Sequence, residues 1–200
     1  MTKVNWLISG ILLVAIAAIT LVAGLWTQRQ TEEIRNPYVN VGGEFTLFSK
    51  DGPVSLSDYR GKVVLLFFGY TLCPDVCPTD LARMGAVFRE LSVHEANKVR
   101  GIFVSVDPER DTISKVTKYA AFFHENIIGL TGSANEVGAV AKQYFVLYQK
   151  VDNDDLILGY TIDHSAITYL IGRNGQVVEL IRHGTTIEEI VQSIHATLDG

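Results

Sequence analysis

The chain has 200 residues, 48% of them hydrophobic and 20% charged, which suits one compact domain with a core of ordinary size plus a short extension. A net charge of −5 and the lack of any Lys/Arg-rich cluster weigh against a nucleic-acid partner, because phosphate binding needs a basic footprint. The sequence has no internal repeat or low-complexity segment, and a core this large needs no disulfide for bulk stability.

The chain opens outside that domain. From Trp6 to Trp26 it runs without a charge (WLISGILLVAIAAITLVAGLW), and as a helix this stretch rises roughly 30 Å, the thickness of a bilayer core. Tryptophans at both ends resemble an interfacial belt. Residues 1–26 are therefore expected to form a membrane anchor, one transmembrane helix. A cleaved signal peptide is the rival, since Ala15 and Ala17 have the right spacing, but cutting there leaves an apolar stub through Trp26. Lys3 on one side and Arg29 and Arg35 on the other leave orientation open. The few residues ahead of the span leave no room for an amphipathic, Arg-rich mitochondrial presequence, which favours a bacterial origin. Residues 27–40 are polar and read as a tether, and residues 41–200 form the domain proper.

Within the domain, Asp51-Gly52-Pro53 marks a turn between two short strand-like runs. The unbroken apolar run Val63 to Phe68 predicts a strand buried on both faces. A helix follows from about Pro78 to Leu91, with Leu81, Met84, Val87, Phe88 and Leu91 at helical spacing. Next come a strand near Val99 to Val106 and helices near Thr112 to Phe123 and Ala134 to Tyr144. A strand at about Phe145 to Val151 is paired with a hairpin partner around Leu156 to Thr161. Strands at Ala166 to Ile171 and Gln176 to Ile181, joined by GRNGQ, lead to a last helix from Thr186 to Leu198. The alternation of strands and helices predicts an α/β sandwich with a mixed central sheet.

Both cysteines fall in YTLCPDVCPTDL, residues 70–81, where the first buried strand ends and a helix begins. Such strand ends and helix N-termini are where α/β proteins place their chemistry. Proline after each cysteine stiffens the loop, holding Cys73 and Cys77 extended or as caps, with Pro78 suited to the first helical position. Thiols presented at an exposed loop there feel the positive end of the helix, which favours thiolate. Three readings stay open: a structural disulfide, a redox pair and a metal clamp. A disulfide across so short a loop contributes little stability. Two sulfurs serve a four-ligand zinc site poorly, whereas Cu(I) is satisfied by two thiolates and one imidazole.

Five histidines are available for that third position. His94 and His124 read as helix-end residues, His195 lies on the last helix, and His183 beside Gly184 reads as a turn. His164 ranks first, because it precedes an apolar strand whose start would face the cysteine loop. Asp163 beside it reads either as an outer-sphere partner or as a plain strand-end residue. Asp75 between the cysteines either tunes the site or is a solvated loop residue. Asp107, Glu109 and Asp111 in VSVDPERDT invite a catalytic reading, but acidic residues after a strand-end Asp-Pro are also how a helix starts.

CPDVCP, VSVDPERDT and DHSAITYLIGRNGQ, in this order behind one apolar segment, resemble the Sco/SenC family of copper proteins for cytochrome c oxidase assembly. The resemblance runs from about Glu44 to the end of the chain. It implies a thioredoxin-like fold and carries over Cys73, Cys77 and His164 as ligands of copper, as Cu(I) and also Cu(II). Two departures separate the chain from ordinary thioredoxin-like oxidoreductases. The motif is C-x-x-x-C, and His164 and Ser165 stand where those enzymes carry a cis-proline facing the thiols. The implied function is a membrane-anchored metallochaperone rather than an enzyme. Its implied partners are cytochrome c oxidase subunit II as acceptor at the dinuclear copper site, an upstream copper donor, and a thioredoxin-like thiol reductase. The implied location is the bacterial inner membrane, single-pass, with the domain in the periplasm. The rival from another class is a thiol-disulfide oxidoreductase using Cys73 and Cys77 on the acceptor's cysteines. A peroxidase resting on Thr71 and one attacking cysteine ranks last, since the loop lacks an arginine to polarise a peroxide.

Overall fold

The computed structural model describes residues 13–26, 36–152 and 159–200. The chain divides into two compact units, Met1–Val39 and Asn40–Gly200. In the first, residues 13–26 form helix α1, exposed along its length. The start of the expected span, residues 6–12, and the tether residues 27–35 lie outside the described residues. Among the described residues no helix is long and apolar enough to cross a membrane, since α1 as described is shorter than the ~20 residues a bilayer requires.

The second unit begins with an antiparallel hairpin, β1 (Thr46–Ser49) and β2 (Gly52–Ser55), followed by a 3-10 turn at Leu56–Tyr59. Then come β3 (Val63–Gly69), α2 (Val76–Glu90), α3 (Val93–Ala96), β4 (Val99–Ser105), α4 (Ile113–Phe123), β5 (Ile127–Leu130) and α5 (Ala134–Gln143). The chain closes with β6 (Tyr148–Asp152), β7 (Tyr160–His164), β8 (Ile167–Ile171), β9 (Val177–Arg182) and α6 (Ile187–Asp199). Five strands make one sheet in the order β5-β4-β3-β8-β9, while β6 and β7 pair antiparallel in a separate ribbon. β3, β4 and β5 run parallel and β8 runs antiparallel to both its neighbours, so the sheet is mixed, in the thioredoxin-like arrangement expected.

The apolar run of β3 is buried at every residue because the strand is central, hydrogen-bonded to β4 on one side and β8 on the other. α2 buries Leu81, Met84, Val87 and Phe88 and packs against α4 and α6. The later helices start where the side chains dictate: Thr112 accepts from the Lys115 amide, and Ser133/Glu136 and Thr186/Glu189 form capping boxes.

Three local expectations change. α2 begins at Val76 rather than Pro78, so Cys77 and Pro78 both lie in its first turn, where proline's missing N–H has no partner to lose. β6 begins at Tyr148 rather than Phe145, because Phe145 takes a left-handed conformation (φ 54) that ends α5. There the Phe145 and Val146 amides donate to the carbonyls of Lys142 and Ala141. Residues 156–158 of the expected hairpin partner lie outside the described residues; the described strand, β7, runs on to His164.

Candidate metal centre

The cysteine loop starts where β3 ends. Gly69, the last residue of β3, makes room for it: a Cβ there would stand 2.6 Å from the Cys77 sulfur and 3.2 Å from the Phe67 and Phe103 rings. The Cys73 amide donates to the Tyr70 carbonyl at 3.3 Å, curling the loop back over the strand end. From the first turn of α2 the Cys77 amide points at Cys73 Sγ, 3.5 Å away, so the helix start supplies a backbone donor to the sulfur. The expectation of exposed thiols is corrected here: Cys73 is 8% accessible and Cys77 fully buried, because the loop folds down onto the sheet end instead of projecting from it.

His164 arrives from the other side, as the last residue of β7. Its Nε2 lies 3.1 Å from Cys77 Sγ and its Nδ1 3.2 Å from the Ser165 carbonyl oxygen. A carbonyl only accepts, so Nδ1 carries the proton and Nε2 presents its lone pair to the thiols. The edges of the Phe67 and Tyr70 rings hold the imidazole, each centroid 6.0 Å away. The ligand atoms of Cys73, Cys77 and His164 all lie within 4.8 Å of one another, and neither cysteine is in a disulfide. Two sulfurs and one imidazole nitrogen so grouped form a soft donor set suited to a thiophilic ion.

The two thiols differ electrostatically. Hydrogen bonds from the Cys77 thiol, and from the Cys77 and Asp75 amides, hold Cys73 down at about 3 against the opposing effect of burial. Cys77, donating to Cys73 and buried beside it, is pushed above its ordinary value. At neutral pH the site therefore holds one thiolate and one thiol. Such a pair can load a soft metal with loss of the Cys77 proton, or attack a disulfide through Cys73.

The VSVDPERDT stretch supports this site rather than adding a catalytic one. Asp111, fully enclosed, accepts from the Thr71 amide at 2.8 Å, the Thr71 hydroxyl at 2.5 Å and the Ser105 hydroxyl at 2.6 Å, and pairs with Lys115 at 3.3 Å. It thus fastens the cysteine loop to β4 and α4. Thr71 is committed to that carboxylate, which removes the footing of the peroxidase reading. Asp107, equally buried, accepts from Arg110 at 2.5 Å and from the Tyr160 hydroxyl at 2.8 Å. Arg110 also donates to the Tyr160 carbonyl at 2.8 Å and stacks over its ring, 3.5 Å from the centroid. One short motif therefore ties down both the cysteine loop and the strand that carries His164. Glu109 is the exposed member, paired with Lys150 at 2.6 Å.

Sequence reasoning missed Tyr160, Tyr70 and Ser105; the one available signal was the i, i+4 spacing of Asp107 and Asp111 in the turn ahead of α4. Asp163 is exposed and lies outside the ligand set. Three of the other histidines have partners elsewhere: His124 stacks on Phe88, His183 lies 3.0 Å from buried Asp80, and His195 pairs with Glu95. His94 sits on α3.

Comparison with known proteins points the same way. A sequence model of the SCO1/SenC family matches residues 35–199. A SCO2-like protein of Rickettsia felis is 33% identical over 186 residues, covering 90% of either chain. A copper-bound ScoI from Bradyrhizobium japonicum is 40% identical with a TM-score of 0.72, covering 79% of this chain and 99% of its own. A copper-bound ScoI from Arabidopsis thaliana is 34% identical with a TM-score of 0.73, covering 80% and 98%.

Proposed function

This chain belongs to the SCO1/SenC family, and from that premise we propose that it is a membrane-anchored copper metallochaperone. Reduced Cys73 and Cys77 and the Nε2 of neutral His164 bind one copper ion as cargo. The chaperone passes it to the dinuclear copper site of cytochrome c oxidase subunit II. The uncharged run from Trp6 to Trp26 anchors it in a bacterial inner membrane and leaves the domain in the periplasm. In that oxidising compartment a thioredoxin-like reductase keeps the pair reduced, and an upstream donor supplies copper.

The observation that carries this reading is the convergence of the three donor atoms within 4.8 Å, with His164 brought from a strand far along the chain. An imidazole whose tautomer is fixed by the Ser165 carbonyl is what a metal site needs and what thiol exchange does not. Two solved relatives that hold copper support the choice of metal. Anaerobic titration of the reduced chain with Cu(I) against a competing chelator tests it: one tight equivalent is expected, and none would overturn the reading.

A second reading rests on a specific observation, the strong acidification of Cys73 beside a protonated, buried Cys77. That asymmetry fits an attacking and a resolving thiol, as in a thiol-disulfide oxidoreductase that reduces the acceptor's cysteines. Thiol exchange kinetics unchanged in His164→Ala, together with lost copper binding, would show both activities resident in one site.

A further inference from the structure

The three donors are not equally reachable. Cys77 Sγ is fully buried against Gly69, and Cys73 is 8% accessible. His164 is only half-buried and forms part of the wall of an open depression of about 510 Å³, with Leu147, Tyr148, Gln149, Asp163 and Ser165. A second depression, about 330 Å³, shares Leu147 and Tyr148 with the first and adds Phe145. Leu147, shared by the two, is 78% exposed and forms an apolar lip, and Phe145 beside it in the second is 66% exposed. Phe145 sits at a left-handed position, which costs a side-chain-bearing residue about 1–2 kcal/mol relative to the ordinary region. Folding gains little from an exposed ring held there. The lip is also fixed to the site, because Leu147 and Ser165 exchange backbone and side-chain hydrogen bonds next to His164.

We infer that copper is exchanged through this depression, with His164 as the first ligand displaced and Cys77 as the last. This rests on the metallochaperone reading and adds its direction and order. The incoming partner is a protein thiolate that crosses the Leu147 lip to reach the metal on its imidazole side. In the first step the bond from copper to His164 Nε2 breaks and a bond from copper to the acceptor's sulfur forms. Copper stays Cu(I) throughout, and the imidazole keeps its Nδ1 proton on the Ser165 carbonyl. A neutral nitrogen donor is the natural first leaving group, because Cu(I) holds thiolate sulfur more tightly than imidazole. The buried Cys77 sulfur is shielded from an incoming ligand until the other two bonds have opened.

The test is a stopped-flow measurement on the full chain in detergent, loaded with Cu(I) without oxygen and mixed with excess bathocuproine disulfonate. Leu147→Trp, which fills the depression from its lip, is expected to slow copper extraction by about tenfold or more while leaving affinity within about twofold. Gln149→Trp fills the same depression from β6 and is expected to slow extraction likewise, so a misfolded Leu147 variant does not decide the matter. Val93→Trp is the control: Val93 is 81% exposed on α3, ahead of β4 and so at the end of the sheet opposite the cysteine loop. Rates equal to wild type in both depression variants, or equal slowing by the control, would overturn the route. Failure of the wild-type chain to hold copper would instead overturn the reading beneath it.

Discussion

The donors come from two regions built in opposite ways. β3, which leads into the cysteine loop, is buried at every residue and hydrogen-bonded on both sides within a five-stranded sheet. The β6–β7 ribbon that delivers His164 is a separate pair of strands, and β6 is exposed along its whole length. A sheet interior can hold two sulfurs in place without a metal, since moving them would disturb packing at crystal-like density. A two-stranded ribbon is marginal on its own and depends on side-chain ties. Here those ties are Tyr160 to Asp107 and Arg110, and the Ile162 amide to the Tyr70 hydroxyl. The contrast suits a carrier, which must retain its cargo on one side and release it on the other.

Changes in the rigid region should cost most. Asp111→Asn removes the charge that gathers Thr71, Ser105 and Lys115, and is expected to cost about 3 kcal/mol by urea unfolding. A loss below about 1 kcal/mol would show that the loop is held by something else. Gly69→Ala drives a methyl group into the Cys77 sulfur and two rings, and is expected to cost about 2 kcal/mol and to weaken copper binding as the sulfur shifts. Unchanged stability and affinity would mean that the sulfur side is softer than its burial indicates.

A pH series sharpens the contrast between the thiols. Cys73 titrates at about 3, below the roughly 8.5 of an unfolded thiol, so its contribution to stability is full above the unfolded value and is lost as pH falls through about 3. Cys77 is shifted upward, so its contribution is present below the unfolded value and is lost as pH rises through its folded one. Across the neutral range only Cys77 has a proton to give up to an incoming metal. Copper affinity is therefore expected to rise about tenfold per pH unit between roughly pH 6 and 8, measured by chelator competition. A flat profile would mean that both thiols are already ionised.

The smallest effect is expected in the ribbon. Tyr160→Phe removes one hydrogen bond to Asp107, worth about 1 kcal/mol, and should raise amide exchange along β7 more than it lowers global stability. Equal effects on both would mean that the ribbon unfolds only with the sheet.

Sequence patterns located most of the architecture because burial shapes them directly. The apolar run of β3 and the helical spacing of Leu81, Met84, Val87 and Phe88 each follow from a face turned to the core. Ile127–Leu130 escaped notice, since four residues around a glycine carry no readable period, although β5 is an edge of the main sheet. The start of β6 was misplaced because nothing in Phe145 advertises a left-handed residue, where glycine is the usual signal. At the site, the strand-to-helix position of the cysteines and the strand-side position of His164 were legible. Their burial was not, because it depends on a glycine at residue 69 and on how Asp111 draws the loop inward. Tyr160 lies far along the chain from the carboxylate it serves, and only the fold brings them together.

The most direct measurement is an anaerobic Cu(I) titration of the reduced full chain in detergent, against a competing chelator, repeated with His164→Ala and Cys73→Ser. The account predicts one tight equivalent per chain, weakened by about 100-fold or more in either variant, equivalent to about 2.7 kcal/mol. Tight binding indifferent to His164 would contradict the three-donor site and leave the thiol pair alone as the working part.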